Sequence, residues 1–178
     1  PGDRGMLVEL ALEQQLHPWM EAVHDAGLDA AAHAIGDEAV QLMLDLHQRA
    51  RGRLTIEHAE LVHPDDLARV NDAWLSMQPL HRADDARAAI AALGEERAAW
   101  LAPFRSLRDA GARLAFGSDW PIVTCDPIPG IRSATTCCTI DGIPFHADQT
   151  ISPEEAMVAY TRDAAECCRL DGAGMLRP

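Results

Sequence analysis

Three side chains that can bind a metal ion stand directly after three short, mainly apolar segments of the sequence. His33 follows an Asp-Ala-Gly phrase and residues 28–32, and Asp119 follows a second Asp-Ala-Gly phrase and residues 112–118. His58 closes a weaker copy of the same pattern. Two imidazoles and one carboxylate suit zinc or a similar divalent metal and leave coordination positions open for water. The three residues are therefore candidate metal ligands.

Each of these residues also has a purely structural explanation. A histidine that ends a buried strand can simply bond a neighbouring loop, and an aspartate in that position can cap the next helix. Both interpretations stay open for any one residue taken alone. The repeated placement at the end of three similar segments favours the metal-site interpretation for all three together.

The repeated pattern also predicts the elements that position these side chains. Each copy is typical of a helix that ends at a glycine and is followed by a short buried strand. In a parallel α/β sheet the carboxyl ends of the strands meet at one mouth, so residues distant in sequence converge there. The four predicted strands lie near residues 29–33, 54–58, 74–78 and 113–118.

Helix signals fill the intervals between the predicted strands. Asp37 is the expected N-cap of the second helix, and Ser152 opens the last helix with a capping box. The predicted helices cover residues 13–26, 37–50, a segment from 64 onward, 103–110 and 153 to about 168. Residues 81–99 are predicted to be a long loop or broken helix, and 139–151 a surface connection. No linker divides the sequence, so residues 1–178 are expected to form one α/β domain of four βα units.

The composition excludes several classes of function. The net charge of −13 argues against nucleic acid and anionic membranes as partners, because both require clustered positive charge. No apolar run of about 18 residues is present, so no membrane span is expected. The five cysteines include no CxxC pair, and their odd number fits free thiols in a reducing cytoplasm. All 15 basic residues are arginine, which excludes a phosphate-binding, Schiff-base or carboxylated lysine from this chain.

Four motifs in sequence order resemble those of the amidohydrolase superfamily. They are HAIGD at 33–37, IEHA at 56–59, SMQPLH at 76–81 and FGSDWP at 116–121. Their closest similarity is to amidohydrolase family 3, the branch that includes N-substituted formamide deformylase. The resemblance covers nearly the whole chain, with the motifs at suitable spacing.

The resemblance implies a fold, a reaction and a role for each site residue. The fold is a (β/α)8 TIM barrel, of which this chain carries strands five to eight. His33, His58 and Asp119 would bind a divalent metal, zinc being the favoured ion, and Asp119 would also be the catalytic proton shuttle. Gln78 and His81 would contact the substrate or its oxyanion. The expected reaction is hydrolysis of a C–N bond, other than a peptide bond, in a small amide or formamide.

The sequence also departs from this family pattern. No two of the eight histidines are two positions apart, so the His-x-His pair of strand one is missing, and so is a strand-four lysine. The chain is expected to start after strand four and to lack the small β-rich domain. Residues 71–74 lack the usual glycine before strand seven and are one position short.

These departures leave three interpretations of the chain. It is part of an amidohydrolase and inactive alone, or a non-catalytic truncated half-barrel, or a structural or metal-binding assembly module. In each case two open sheet edges predict self-association into a homo-oligomer. The missing half of the barrel is also expected to expose apolar residues of the inward strand faces, such as Ile56, Met77 and Phe116.

Overall fold

Four parallel strands form the centre of the fold in a computed structural model, which describes residues 6–12 and 14–176. The strands are β1 (Ala30–Ala34), β2 (Leu54–His58), β3 (Trp74–Met77) and β4 (Arg113–Phe116), paired in that order. Their positions agree closely with the predicted strands, and the predicted α/β class is confirmed. The arrangement has the order and direction of strands five to eight of a (β/α)8 barrel, with β1 and β4 at the sheet edges.

Helices connect and flank the strands. The α-helices are α1 (Glu9–Leu12), α2 (Leu16–Asp25), α3 (Asp37–Arg49), α4 (Pro79–Leu93), α5 (Glu95–Ala98), α6 (Phe104–Asp109), α7 (Pro127–Thr136), α8 (Pro153–Val158) and α9 (Ala164–Cys167). A π-helix, Ala159–Asp163, joins α8 to α9, and two 3-10 helices span Pro64–Arg69 and Ala147–Gln149. Within the described ranges, none of these helices is long and apolar enough to cross a membrane.

Several helix predictions need correction. The first predicted helix starts at Leu16 rather than 13, and Glu13 itself lies outside the described residues. Asp37 is not an N-cap: Gly36 occupies that position, while the buried Asp37 carboxylate accepts two bonds from Arg97. The stretch 81–99 is the broken helix, one of the two predicted alternatives: α4 ends at Gly94, whose φ is +79°, and α5 begins directly after it.

Two further differences concern the end of the chain. Helix α7 was not predicted. It begins at Pro127 with Asp126 as N-cap, but the prolines and glycine at its start are also typical of a loop. The capping box of Ser152 and Glu155 is present as predicted. The helix that it opens changes to π geometry at residues 159–163 before α9.

Parallel register divides the strand residues between two faces of the sheet. Ile56 is paired with Leu75, and Leu75 with Leu114, so these side chains share the face that packs against the helices. Together with Met77 and Phe116 they are buried in the main hydrophobic core. The expectation that Ile56, Met77 and Phe116 would be exposed is therefore wrong: they point toward the helix layer and not toward the interior of a barrel.

The opposite face carries polar residues near the amino ends of the strands. Register aligns Thr55 with Trp74, and Trp74 with Arg113. Helix α9 reaches this end of the sheet, where Cys167 Sγ lies 3.7 Å from Thr55 Oγ1. Arg53 donates to the carbonyl oxygens of Glu166 and Cys167 at 2.6 and 3.0 Å. The C-terminal segment thus covers part of the face that a missing half-barrel leaves open.

Candidate metal centre

The carboxyl ends of the four strands carry the predicted site residues. His33 lies near the end of β1, and His58 ends β2. Gln78 follows β3 directly, His81 lies in the first turn of α4, and Asp119 comes three residues after β4. The structure therefore places all five at the same edge of one parallel sheet.

The backbone at this edge adopts a conformation that L-residues rarely use. His58 has φ +72°, Ala59 +44° and Asp119 +55°, all in the left-handed region. Simple alternation along β2 would put His58 on the helix-facing side with Ile56. With its left-handed backbone, the His58 ring instead lies close to His33, whose side chain is on the open face of the sheet. Non-glycine residues in this region cost on the order of 1 kcal/mol or more and cluster at functional sites.

His58, His81 and Asp119 form one close group. Each offers one ligand atom, and these atoms lie within 4.8 Å of one another. The His58 and His81 rings are stacked, with centroids 6.1 Å apart and an interplanar angle of 15°. His81 Nε2 is buried and accepts or donates no hydrogen bond among the described residues. A buried nitrogen without a partner is costly unless something outside the chain binds it.

His33 lies beside this group but is not a member of it. Its ring centroid is 4.4 Å from that of His58, in an edge-to-face arrangement at 68°. Its side chain is exposed on the open face of β1. The sequence-based ligand set of His33, His58 and Asp119 stays a prediction. All three residues lie at one mouth, but the described group whose ligand atoms lie within 4.8 Å of one another contains His81 and not His33.

Gln78 contacts His58 directly. Its Oε1 lies 2.8 Å from His58 Nδ1, while its Nε2 donates to the carbonyl of Ser76 at 3.3 Å. An amide oxygen can only accept, so His58 Nδ1 is the donor of this hydrogen bond. Such outer contacts fix the tautomer of metal-binding histidines. The expected contact between Gln78 and substrate is untested.

Glu60 is a feature of this edge that the sequence analysis did not single out. Burial, reinforced by the neighbouring Asp85 carboxylate, raises the pKa of Glu60 from 4.5 to about 7. Asp85 is exposed on α4, yet it also interacts with Glu60. No sequence signal links the two residues, because only the packing of α4 over the loop after β2 brings them together.

Comparison with known proteins shows the family to which the chain belongs. The profile described as amidohydrolase family matches residues 6–178. The chain belongs to the amidohydrolase family. Protein LONG AFTER FAR-RED 3 of Arabidopsis thaliana is 34% identical over 96% of this chain and 31% of its own length. N-substituted formamide deformylase of Arthrobacter pascens is 25% identical over 86% of the chain and 30% of its length.

A solved structure supports the same assignment. The crystal structure of an uncharacterized metal-dependent hydrolase from Pyrococcus horikoshii superimposes with a TM-score of 0.84 at 32% identity. The superposition covers 93% of this chain and 35% of the Pyrococcus chain. The amidohydrolase chain described here thus spans about a third of the length of these relatives.

Proposed function

We propose that this chain forms half of the active site of a hydrolase that cleaves a C–N bond, other than a peptide bond, in a small amide or formamide. The observation that carries the proposal is the group of two histidines and one aspartate at the strand carboxyl ends, with a third histidine beside it. The Arthrobacter relative, named as an N-substituted formamide deformylase, supports an amide-type substrate.

The residues at the mouth fit a divalent cation. Two imidazoles and a carboxylate are suitable ligands for zinc, and the partnerless His81 Nε2 offers a lone pair that no described residue uses. His33, His58 and Asp119 are the ligands that the family resemblance implies. A bound divalent metal supplies Lewis-acid activation and lowers the pKa of coordinated water toward about 7.

Side chains of this chain can supply proton transfer and contact with the substrate. Asp119 is exposed at the mouth, where its carboxylate can accept a proton from the attacking water and pass it to the leaving nitrogen. His33 lies on the open face beside His58 and can face the substrate. No lysine is present to take either role.

The test is the hydrolysis of N-formyl and N-acyl amines by the complete natural protein that contains this chain. Asp119→Asn should lower kcat by about 100-fold or more, because proton transfer by a positioned carboxylate contributes that much. Asp126→Asn is the matched control: it makes the same chemical change at the N-cap of α7, where asparagine caps equally well. Unchanged turnover in Asp119→Asn, or no hydrolysis of any C–N substrate by the natural protein, would refute the proposal.

The isolated chain should bind metal and show little or no turnover, as expected for a part of the barrel. Its open edges, β1 and β4, favour pairing with a second copy, so a homo-oligomer is proposed as well. Light scattering at micromolar concentration checks this: a stable monomer would contradict the homo-oligomer. We also place the protein in the reducing cytoplasm, because all five cysteines, each within the described ranges, are free thiols.

A further inference from the structure

We infer that a cavity beside the mouth of the sheet binds the substrate through a carboxylate, and that Arg132 recognises this group. The cavity has a volume of about 410 Å³ and lies between α4, α7 and the turn at residues 138–142. This inference rests on the proposed function and names its substrate class: a small amide or formamide with an apolar chain that ends in a carboxylate. It does not depend on which residues bind the metal.

The cavity lies next to the mouth because both helices that form it begin at the carboxyl edge of the sheet. Helix α4 starts directly after β3, and its first turn contributes Leu80, the neighbour of His81 in the sequence. Helix α7 follows the loop after β4, and its first turn contributes Ile128. The Ser133 hydroxyl donates a hydrogen bond to the carbonyl oxygen of Pro79, which fixes the two helices to each other. A substrate bound at the mouth can therefore extend into the cavity.

Much of the cavity lining is apolar. The apolar side chains come from both helices and from the turn: Leu80, Ala83, Ile128, Pro129 and Ile140. Ile128 and Ile140 remain 65% and 59% exposed. Single exposed apolar residues are common on protein surfaces, but several that line one concave surface are typical of a site for a ligand with an apolar body.

Arg132 supplies a positive charge to this cavity. It is exposed on the second turn of α7, and its guanidinium group forms no hydrogen bond or ion pair within the described ranges. The other charged residue of the lining, Asp141, is paired with Arg87 at 2.9 Å. Acidic residues outnumber basic ones in this chain, 28 to 15, so an arginine without an acidic partner is notable. Its planar group matches the two oxygens of a carboxylate.

Arg82 adds a second positive charge near the cavity. Its side chain is fully buried, and Nε and Nη2 donate to the carbonyl oxygens of Leu101 and Phe145 at 3.1 and 2.7 Å. These neutral acceptors leave the charge in place, and Nη1 has no partner in the described part of the chain. Arg82 directly precedes Ala83 and interacts electrostatically with Cys138, and both of these residues line the cavity. The two arginines therefore favour an anion here, although the net charge of the chain is −13.

Binding of hexanoate to the purified chain tests the cavity without any turnover. Hexanoate has an apolar chain and a carboxylate, and hexanamide has nearly the same shape without the charge. Titrations followed by NMR signals of the ligand give both affinities. Hexanoate should bind about tenfold or more tightly than hexanamide, because a bidentate pair of charged groups is among the stronger hydrogen-bonded contacts. Arg132→Gln should remove this preference and leave the affinity for hexanamide within about twofold.

Arg49→Gln is the matched control, because it removes the same charge from an exposed arginine in the last turn of α3, at the opposite edge of the sheet. Arg132→Lys keeps the charge without the planar group and should retain part of the preference, and it replaces Arg132→Gln if circular dichroism shows that the glutamine variant is unfolded. Ile128→Ser should weaken the binding of both ligands. Equal affinities for the two ligands, an unchanged preference in Arg132→Gln, or no binding of hexanoate at about 10 mM would overturn the inference.

The complete natural protein that contains this chain separates this inference from the proposed function. Its kcat/KM for N-formylaminohexanoate should exceed that for the corresponding terminal carboxamide by about tenfold or more, and Arg132→Gln should abolish the difference. Equal kcat/KM values for the two substrates would overturn the inference and leave the hydrolase proposal intact. Failure to hydrolyse any C–N substrate would refute the hydrolase proposal instead, and the hexanoate titration then decides the cavity by itself.

Discussion

The polar groups at the two ends of the four-stranded sheet have opposite environments: those at the amino ends are paired, and one at the carboxyl ends is not. At the amino ends, the guanidinium groups of Arg53 and Arg113 both lie over the Trp74 ring, at 5.2 and 5.5 Å from its centroid. Arg113 also forms ion pairs with Asp72 at 3.2 Å and Glu166 at 3.1 Å. At the carboxyl ends, His81 Nε2 has no partner in the described ranges, and His58 and Asp119 have left-handed backbones.

This difference separates polar residues that stabilise the fold from those available for chemistry. Paired cations and a stacked indole hold the strands in register and need nothing else. Unpartnered ligand atoms on a strained backbone cost stability and persist where function needs them. If the distinction is correct, substitutions at the amino ends should lower stability and leave metal binding unchanged, and substitutions at the carboxyl ends should weaken metal binding without lowering stability.

The largest effect should come from Trp74→Ala. The indole is buried, and its loss removes core volume together with both cation–π contacts, so the free energy of unfolding should fall by about 3–5 kcal/mol. Urea denaturation gives this value, and Co²⁺ titration should show an affinity within about threefold of the unmodified chain. Trp74→Phe keeps an aromatic face and should lose less than half as much. A large loss of metal affinity in a folded Trp74 variant would break the separation of the two ends.

The assignment of faces can be tested with two adjacent residues of β2. Ile56 is fully buried against the helices, so Ile56→Ala should lower the free energy of unfolding by about 2–5 kcal/mol. Glu57 lies on the opposite face, and Glu57→Ala should change it by less than about 0.5 kcal/mol. Equal effects of the two substitutions in urea denaturation would contradict the register of β2.

Asp119→Gly should raise stability while abolishing metal binding. Glycine adopts the observed φ of +55° without steric cost, and the exposed carboxylate contributes no buried surface. We expect a gain of up to about 1 kcal/mol in the free energy of unfolding, measured without metal. Asp119→Ala, which keeps the Cβ atom, serves as the comparison and should give no gain. Destabilisation by glycine would mean that the carboxylate stabilises the fold.

Glu155 is a paired carboxylate that lies at neither end of the sheet. Its ionisation should make the free energy of unfolding depend on pH in a predictable direction. Hydrogen bonds from Arg105 and from the Ser152 backbone, with smaller help from Arg108, lower the pKa of Glu155 from 4.5 to about 2. The stabilisation is therefore complete above pH 4.5 and is lost as the pH falls toward 2. The unmodified chain should lose on the order of 1 kcal/mol more than Glu155→Gln over this interval, after allowance for solvent screening. If the stability of the unmodified chain and of Glu155→Gln depended on pH in the same way, folding would not lower the pKa of Glu155.

Much of the fold follows from local signals in the sequence. Short apolar segments after helix-ending glycines predicted three of the four strands, and a short segment stopped by Pro79 predicted β3, because a buried parallel strand needs little besides apolar residues and a turn. The ordered motifs also predicted that His33, His58, Gln78, His81 and Asp119 would come to one edge. Helix α7 and the helical start at Pro79 were harder, because proline and glycine predict a break as readily as a helix start.

The sequence by itself determined which residues lie at the mouth of the sheet, since strand direction and strand ends are properties of the local pattern. Only the tertiary structure decided which of them come within reach of one ion. Residue spacing does not reveal that His58 leaves the strand with a left-handed backbone, or that Gln78 Oε1 accepts a hydrogen bond from His58 Nδ1. The same limit explains the error about Ile56: alternation along LTIEH separates the two faces of β2, but only the helices packed on one of them decide which face is buried.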